Sequence, residues 1–198
     1  MIYILCGGYI YHFAAAEGSQ YIIILFPLIG GGKEVMMEIE RKYLIRHLPE
    51  DLDSYPHDHI SQAYVCTSPV IRIRQKNEDY ILTVKSEGLL AREEVEMPLS
   101  RESFSHLATK TDGIIIEKTR YKILESHGYL IELDVFHGAY EGFIMAEIEF
   151  PDIEAANSYK SPDWFGEDVT MDSRFHNSSL SQRTPEEVKD FLSHITKS

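Results

Sequence analysis

The sequence contains few of the residues on which several common protein classes depend. Its 198 residues include two cysteines, Cys6 and Cys66, which are far apart and lack the spacing of metal ligands. This pattern favours free thiols in a reducing compartment, because disulfide-stabilised domains carry closely spaced cysteines in even numbers. We therefore expect a cytoplasmic protein.

Basic residues are also scarce. The chain has 19 lysines and arginines against 32 aspartates and glutamates, which gives a formal net charge of -13. Proteins that bind duplex nucleic acid present a basic face to the phosphate backbone, so we expect no nucleic-acid partner. The overall balance does not exclude a basic pocket enclosed by an acidic surface.

Long uninterrupted apolar runs are missing as well. Residues 1–36 contain two apolar stretches, but glycines, His12, Glu17 and Pro27 interrupt them. Neither stretch reaches the roughly 18 apolar residues that a membrane-spanning helix needs, so we expect no membrane partner.

The same segment lacks the basic start of a signal peptide. No lysine or arginine precedes Lys33, although "AAAEG" resembles a cleavage site and keeps secretion as an alternative. "GGGKE" resembles part of a phosphate loop, but Pro27 and Glu34 replace the glycine and hydroxyl residue that such a loop requires, so we interpret it as a linker. We predict that residues 1–36 are an N-terminal extension outside the catalytic barrel and that residues 37–198 form the domain.

From Met37 onward the sequence is rich in short segments with strand character. The candidate strands cover residues 38–45, 61–66, 70–76, 79–86, 91–97, 114–122, 128–136 and 143–150. Short turn signals such as "KNED" and "ESHG" separate several of them, which indicates antiparallel neighbours. We predict a mainly β (α+β) fold, an eight-stranded closed antiparallel β-barrel with a few external helices, and a β-sandwich stays the alternative.

The helices and the remaining motifs are less prominent. The clearest helix is "TPEEVKDFLSHI", in which Thr184 and Glu187 form a capping box, and "PEDLDSY" and "SRESFSHLATK" predict two shorter ones. His57–His59 follow a proline, so we interpret them as a loop and not as a metal site. We expect Trp164 and Phe165 to pack the C-terminal segment on the barrel.

Charged residues alternate with aliphatic residues along strand after strand. In "VIRIRQK", Arg72 and Arg74 share one face of the strand, and Ile71 and Ile73 share the other. A polar face of an antiparallel sheet usually faces water, but such a face normally mixes serine, threonine and amide side chains among its charges. If the charged faces point into a barrel, each charge needs a partner or a bound counter-ion. A bore lined with both signs suits a polyanion that arrives with divalent cations.

The stretch "MEIERKYLI" resembles the ExExK signature of the CYTH superfamily, the triphosphate tunnel metalloenzymes. Further blocks follow in the family's order: "IRIRQ", "LTVKSEG", "AREEVEM", "IEKTRYKI", "IELDVFHG", "AEIEF" and "WFGEDVTMDSRFHNSSL". The resemblance covers residues 37 to about 180 and is strongest to the short bacterial inorganic tripolyphosphatases. It implies an eight-stranded antiparallel tunnel with a charged bore.

The resemblance also implies roles for individual residues. The triphosphate would be bound by Lys42, Arg72, Arg74, Lys85, Lys118, Arg120 and Arg174. The metal would be held by Glu38, Glu40, Glu132, Asp134, Glu147 and Glu149. The catalytic groups would be Lys118, Tyr64, Glu94 and Glu96, with Tyr64 and Lys118 as a pair near the scissile phosphate. The family's glycine before the tyrosine is Ala63 here.

The function expected from this resemblance is the hydrolysis of inorganic tripolyphosphate to pyrophosphate and phosphate. Mg²⁺ or Mn²⁺ would serve as the cofactor, with two ions during turnover. The alternatives are a class IV adenylate cyclase and a thiamine or nucleoside triphosphatase on the same fold, and outside enzymes a polyphosphate-binding module. The partner would be a triphosphate substrate, and a homodimer stays an open alternative.

Overall fold

The structure of the protein is a computed structural model that describes residues 2–6, 9–15, 21–26 and 36–195. The chain divides into two compact units, residues 1–36 and residues 37–198. The predicted linker "GGGKE" lies outside the described residues. Because no observation tests the role of residues 1–36, their separation from the catalytic barrel stays a prediction.

The first unit contains a three-stranded antiparallel sheet. Its strands are β1 (Ile2–Cys6), β2 (Tyr9–Ala15) and β3 (Tyr21–Phe26), in the order β1-β2-β3. These three strands were not among the predicted elements. The three segments are rich in isoleucine, tyrosine and phenylalanine, which favour strands, and this propensity was the available signal.

The second unit is a closed β-barrel. Its strands are β4 (Met36–Ile45), β5 (His57–Thr67), β6 (Val70–Lys76), β7 (Asp79–Lys85), β8 (Ala91–Pro98), β9 (Asp112–Leu124), β10 (Leu130–His137) and β11 (Ile144–Glu149). Neighbouring strands follow the order β11-β10-β9-β5-β6-β7-β8-β4, and the pairing of β11 with β4 closes the ring. The predicted eight-stranded antiparallel barrel is therefore confirmed.

A short outer strand extends the barrel wall. Strand β12 (Phe165–Asp168) pairs with β4 through Phe165 opposite Ile45 and Asp168 opposite Tyr43. The chain then continues beside β4, because the Val169 amide donates to the Lys42 carbonyl at 2.9 Å. The C-terminal segment is thereby attached to the strand that carries the ExExK motif.

Local chemistry accounts for the hairpin between β6 and β7. Lys76 pairs with Asp79, which leaves Asn77 and Glu78 as a two-residue turn. Asn77 has a φ of 52°, a left-handed conformation that asparagine tolerates better than most residues. Its side chain accepts from the His59 amide at 2.9 Å and donates to Asp58 at 2.7 Å, so the turn is also bonded to β5.

Four α-helices lie among the described residues. They are α1 (Arg101–Ala108), α2 (Ile153–Ser158), α3 (Asn177–Ser181) and α4 (Pro185–Ile195). The capping box of α4 is confirmed, since the Thr184 amide donates to Glu187 at 2.8 Å and the Glu187 amide donates to the Thr184 hydroxyl at 3.3 Å. None of the helices in the described ranges is long and apolar enough to cross a membrane.

Some predicted elements differ from the observed ones. His57–His59 were predicted to form a loop, but they are the first residues of β5 and pair with Tyr121, Arg120 and Thr119 on β9. This interpretation was wrong because long-range pairing with β9 outweighs the local turn signal of the preceding proline. The sequence analysis also did not predict β12, α2 and α3, which are too short to show a periodic pattern. The segment "PEDLDSY" forms one turn of 3₁₀-helix, Leu52–Ser54.

One apolar core covers the outer face of the barrel. Its buried residues are Ile39, Tyr43, Ile123, Ile131, Leu133, Ala146, Ile148, Phe150, Ala156 and Phe165. Most of them are the strand residues that alternate with the charged positions. The predicted packing of Trp164 and Phe165 on the barrel is confirmed, because Phe165 is buried in this core and Trp164 contacts it with ring centroids 4.5 Å apart.

A second apolar core involves the opposite face of the same strands. It joins Tyr64, Val70, Ile116, Phe136, Tyr140, Phe143, Met145, Val169, Phe175, Leu180 and Val188. Tyr64, Ile116 and Phe136 lie near adjoining ends of β5, β9 and β10, which are neighbours in the ring. Residues 169–188 thus supply apolar side chains that pack against one end of the barrel.

Candidate active site

The charged residues of neighbouring strands lie in register on one face of the barrel wall. Glu40 and Lys42 on β4 are directly opposite Glu149 and Glu147 on β11. The same face continues around the ring through Glu132, Arg120, Asp58, Gln62, Arg74, Thr83 and Glu96. Ion pairs connect side chains from non-adjacent positions of this ring, so the face is the inner one and encloses a bore.

Lys42 occupies the centre of an ion-pair network in the bore. Its ammonium donates to Glu40 at 2.6 Å and to Glu147 at 2.7 Å, and all three side chains are buried. Burial alone would lower the pKa of Lys42, but the two carboxylates outweigh it and raise that pKa above its usual value. Lys42 therefore stays charged.

Arg120 joins three carboxylates on two strands. Its guanidinium contacts Glu132 and donates to Asp134 at 2.6 Å and Glu147 at 2.5 Å. Burial opposes the charged forms of Arg120 and Glu147. Asp134 and Glu132 nevertheless raise the pKa of Arg120, and Lys42 and Arg120 lower the pKa of Glu147. Lys118 also contacts Asp134, so both oxygens of this carboxylate are engaged.

Lys85 and Arg92 face the first acidic residues of the ExExK motif. Lys85 donates to Glu38 at 2.5 Å and lies 2.9 Å from Glu94. Arg92 donates to Glu38 at 3.1 Å and to Glu40 at 2.8 Å. The sequence analysis assigned no role to Arg92, although its position on the charged face of β8 was the signal that could have identified it.

Arg72 contacts the acids of β8. It lies 3.4 Å from Glu96 and 3.8 Å from Glu94, and it donates to the Thr83 hydroxyl at 2.9 Å. Burial would raise the pKa of Glu96, but Arg74 and Arg72 outweigh it and hold that pKa below the usual range. Thr83, which is buried and donates to Glu96 at 2.9 Å, was not predicted as a site residue.

Arg74 has no carboxylate within ion-pair distance among the described residues. Its Nε donates to the Gln62 carboxamide oxygen at 3.2 Å. Burial, followed by repulsion from Arg72 and Arg120, lowers the pKa of Arg74 to about 10. The same causes, burial and then Arg120, lower the pKa of Lys118 to about 8. In this part of the bore, buried cations therefore lie close enough to repel one another.

Several carboxylates cluster around Glu149. Burial raises the pKa of Glu149 to about 8, and repulsion from nearby carboxylates adds to the shift; these are Glu132, Glu38, Glu40 and Glu94. Carboxylate oxygens are the ligands that Mg²⁺, Mn²⁺ and Ca²⁺ prefer, so the donor set fits a hard divalent cation. No three acidic, histidine or cysteine side chains of the described ranges already surround one point as metal ligands. A cation here would compete with Lys85 and Arg92 for Glu38 and Glu40.

A family model described as the CYTH domain matches residues 36–184. The chain belongs to the CYTH domain family. The inorganic triphosphatase of Nitrosomonas europaea is 40% identical over 154 residues, which span 76% of this chain and 100% of that protein. The inorganic triphosphatase of Acetivibrio thermocellus is 39% identical over 125 residues, which span 61% of this chain and 76% of that protein.

A solved structure supports the same relationship. The crystal structure of the inorganic triphosphatase NE1496 is similar to this CYTH protein with a TM-score of 0.58 and 36% sequence identity. The match covers 78% of this chain and 99% of the other. The two proteins therefore share their fold over most of each chain.

Most of the predicted site residues of this CYTH domain converge in the bore, but Arg174 does not. Its side chain is 74% exposed and forms a bidentate pair with Asp172, in which Nη2 donates to Oδ2 at 2.5 Å and Nε donates to Oδ1 at 2.9 Å. Asp172, two residues earlier in the chain, holds the Arg174 guanidinium at the surface of the C-terminal segment. A contact between Arg174 and the substrate stays a prediction.

The predicted pair of Tyr64 and Lys118 is also arranged differently. Lys118 contacts Asp134, whereas the Tyr64 hydroxyl accepts from the Gln62 carboxamide at 2.8 Å. Both Tyr64 and Gln62 are buried. Gln62 was not predicted as a site residue, because an uncharged amide does not stand out from a strand sequence.

Proposed function

We propose that this protein is a metal-dependent hydrolase of inorganic tripolyphosphate. The observation that carries the proposal is a single bore in which Arg74 is buried with no carboxylate within ion-pair distance in the described ranges, while several carboxylates cluster around Glu149 and help to raise its pKa. A chained phosphate would give Arg74 an anionic partner, and a divalent cation would reduce the repulsion within the carboxylate cluster. Two inorganic triphosphatases that are 39% and 40% identical to the chain over the aligned residues support the same conclusion.

The substrate would lie along the basic residues of the bore. Arg74 has guanidinium nitrogens free of carboxylates in the described part of the chain. Arg72 and Lys118 lie close enough to Arg74 for their positive charges to repel one another. Lys42, Lys85 and Arg120 already hold carboxylates, so they would bind phosphate oxygens by sharing or exchanging these partners. Guanidinium groups suit phosphate because their donors form two parallel hydrogen bonds.

The metal would be held by the acidic side of the bore. Glu38, Glu40 and Glu149 are the candidate ligands, with Glu132 beside them, and Mg²⁺ or Mn²⁺ would neutralise charge on the phosphate oxygens when bound. Asp134 and Glu147 are each held by two cations, so we propose that they mainly position Lys118, Arg120 and Lys42. This division refines the predicted ligand set.

The reaction itself requires little covalent chemistry from the protein. The oxygen of a water molecule bonds to a phosphorus atom, the bridging P–O bond breaks, and pyrophosphate and phosphate leave with the two protons of water. Such phosphoryl transfer depends mostly on positioning and on neutralising the oxygens of the transferred group. Glu94 and Glu96 lie beside Lys85 and Arg72, where a carboxylate could accept a proton from the attacking water.

One assay tests the proposal directly. The purified full chain is supplied with Mg²⁺ or Mn²⁺ and with tripolyphosphate, ATP or thiamine triphosphate, and phosphate, pyrophosphate and cyclic AMP are measured. We expect the highest kcat/KM for tripolyphosphate, equal amounts of phosphate and pyrophosphate, and loss of turnover with EDTA. Formation of cyclic AMP from ATP, or binding of tripolyphosphate without turnover, would contradict the proposal.

A further inference from the structure

A hydrogen-bonded chain of three side chains crosses from the basic side of the bore to the apolar core. Arg74 donates from Nε to the Gln62 oxygen at 3.2 Å, and the Gln62 nitrogen donates to the Tyr64 hydroxyl at 2.8 Å. Gln62 is 1% exposed and Tyr64 is 2% exposed, so water does not replace these bonds.

The direction of this chain is fixed by Arg74. A guanidinium has donors and no acceptor, so only the oxygen of the Gln62 carboxamide can face it. The amide nitrogen of Gln62 must then face Tyr64, and the Tyr64 hydroxyl oxygen must accept the bond. The orientation of the Gln62 amide is therefore fixed by the donor groups of Arg74 and does not depend on an observed hydrogen position.

This direction leaves the hydroxyl proton of Tyr64 available. Within residues 37–195 the Tyr64 hydroxyl accepts from Gln62 and donates no hydrogen bond. The ring of Tyr64 packs in the apolar core with Ile116 and Phe136, which restricts its movement. Burial raises the pKa of the hydroxyl, so the group keeps its proton at neutral pH.

We infer that Gln62 is a positioning residue that orients the Tyr64 hydroxyl as a hydrogen-bond donor to a phosphate oxygen of the substrate. The inference rests on the proposed function and adds the residue that orients one hydrogen-bond donor, the Tyr64 hydroxyl. A donor directed at the charge that develops on a phosphate oxygen stabilises the transition state more than the ground state. Gln62 would thus affect turnover through Tyr64, without touching the substrate itself.

The substitution Gln62→Glu separates this role from a purely structural one. A carboxylate has nearly the same shape as the carboxamide and would still accept the hydrogen bond from Arg74. It has no N–H group to donate to Tyr64, so it would instead accept the hydroxyl proton of Tyr64. The hydroxyl could then no longer donate that proton to a phosphate oxygen of the substrate. We expect kcat to fall at least tenfold while KM stays within about threefold. A kcat within twofold of the wild type would overturn the inference.

A double-mutant cycle provides the second measurement. We expect Tyr64→Phe and Gln62→Met each to lower kcat at least tenfold, and the double variant to be no worse than the more impaired single variant. Additive losses, or a Tyr64→Phe variant with full kcat, would contradict the inference. Circular dichroism of every variant reports folding, and Tyr64→Phe tests the hydroxyl even if a Gln62 variant does not fold.

The wild type distinguishes this inference from the proposed function. If the wild type releases no phosphate from tripolyphosphate, the proposed function fails and the inference fails with it. If the wild type turns over and the Gln62 and Tyr64 variants match it, only the inference fails.

Discussion

At the scale of single residues, the bore holds charges that the surrounding protein does not favour. Burial and neighbouring charges of the same sign lower the pKa of Lys118 to about 8 and raise that of Glu149 to about 8. Each shift means that the surrounding protein disfavours the charged form. A ligand of the opposite sign would favour the charged form of each group, and its binding would therefore shift both pKa values back toward their usual range.

Arg74 gives the sharpest residue-scale prediction. Since Arg74 has no carboxylate partner in the described ranges and burial lowers its pKa to about 10, Arg74→Gln leaves no unpaired carboxylate behind. We expect kcat/KM for tripolyphosphate to fall by about 100-fold or more, on the scale of a lost charged contact to a transferring phosphoryl group. Urea unfolding should give a free energy of unfolding equal to or above that of the wild type.

Arg101→Gln is the matched control for this prediction. Arg101 is exposed at the start of α1, so its replacement should change neither kcat/KM nor stability beyond about 0.5 kcal/mol. An Arg74→Gln variant that keeps full activity would count against the binding role of Arg74. A variant that unfolds would show that Arg74 stabilises the barrel.

At the scale of elements, the contact between β9 and α3 is the point where the C-terminal segment meets the barrel. Gly113 in β9 has a φ of +78°, and a Cβ there would lie 2.1 Å from the Ser181 carbonyl oxygen in α3. Tyr140 secures the same helix, because its hydroxyl donates to the Leu180 carbonyl at 2.6 Å. Close backbone approach therefore requires glycine at residue 113.

The element-scale prediction compares two glycines. Gly113→Ala combines left-handed backbone strain with a clash against backbone, whereas Gly128→Ala at a φ of +88° has no atom within 4 Å and carries the strain alone. We expect Gly128→Ala to lower the free energy of unfolding by about 1 kcal/mol and Gly113→Ala by about 3 kcal/mol or more. Urea titration followed by circular dichroism measures both. Equal losses in the free energy of unfolding would show that α3 can move away from a Cβ at residue 113 without a cost in stability.

At the scale of the whole molecule, closure of the ring creates the site. Strand β4 pairs with β11, which lies about a hundred residues further along the chain, and this pairing brings Glu147 to Lys42. Without closure the carboxylates and cations would lie on an open, solvated sheet face, where exposed ion pairs contribute little. The barrel is therefore both the scaffold and the source of the site's electrostatics.

The whole-molecule prediction concerns the N-terminal unit. Residues 37–198 form a compact unit that contains every proposed site residue, so deletion of residues 1–35 should leave the barrel folded and tripolyphosphate turnover within about twofold of the full chain. The measurement is kcat/KM together with a thermal unfolding curve of both proteins. Loss of folding after deletion would show that the first unit is part of the barrel.

The sequence by itself determined the strand alternation, the eight barrel strands and the face on which the charges lie. These features are local, because side chains in a strand point to opposite faces with a period of two. The block order from "MEIERKYLI" to "AEIEF" likewise indicated the CYTH family, which the family match confirms.

Only the tertiary structure decided which residues meet. The bond from Arg74 through Gln62 to Tyr64 depends on the pairing of β5 with β6, and the contact of Arg92 with Glu38 depends on closure between β8 and β4. Arg174 lies at the surface because Asp172 holds it there, which a motif match does not reveal. The physical reason is that alternation fixes the face of a side chain, whereas its partner is set by pairings between strands that are distant in the sequence.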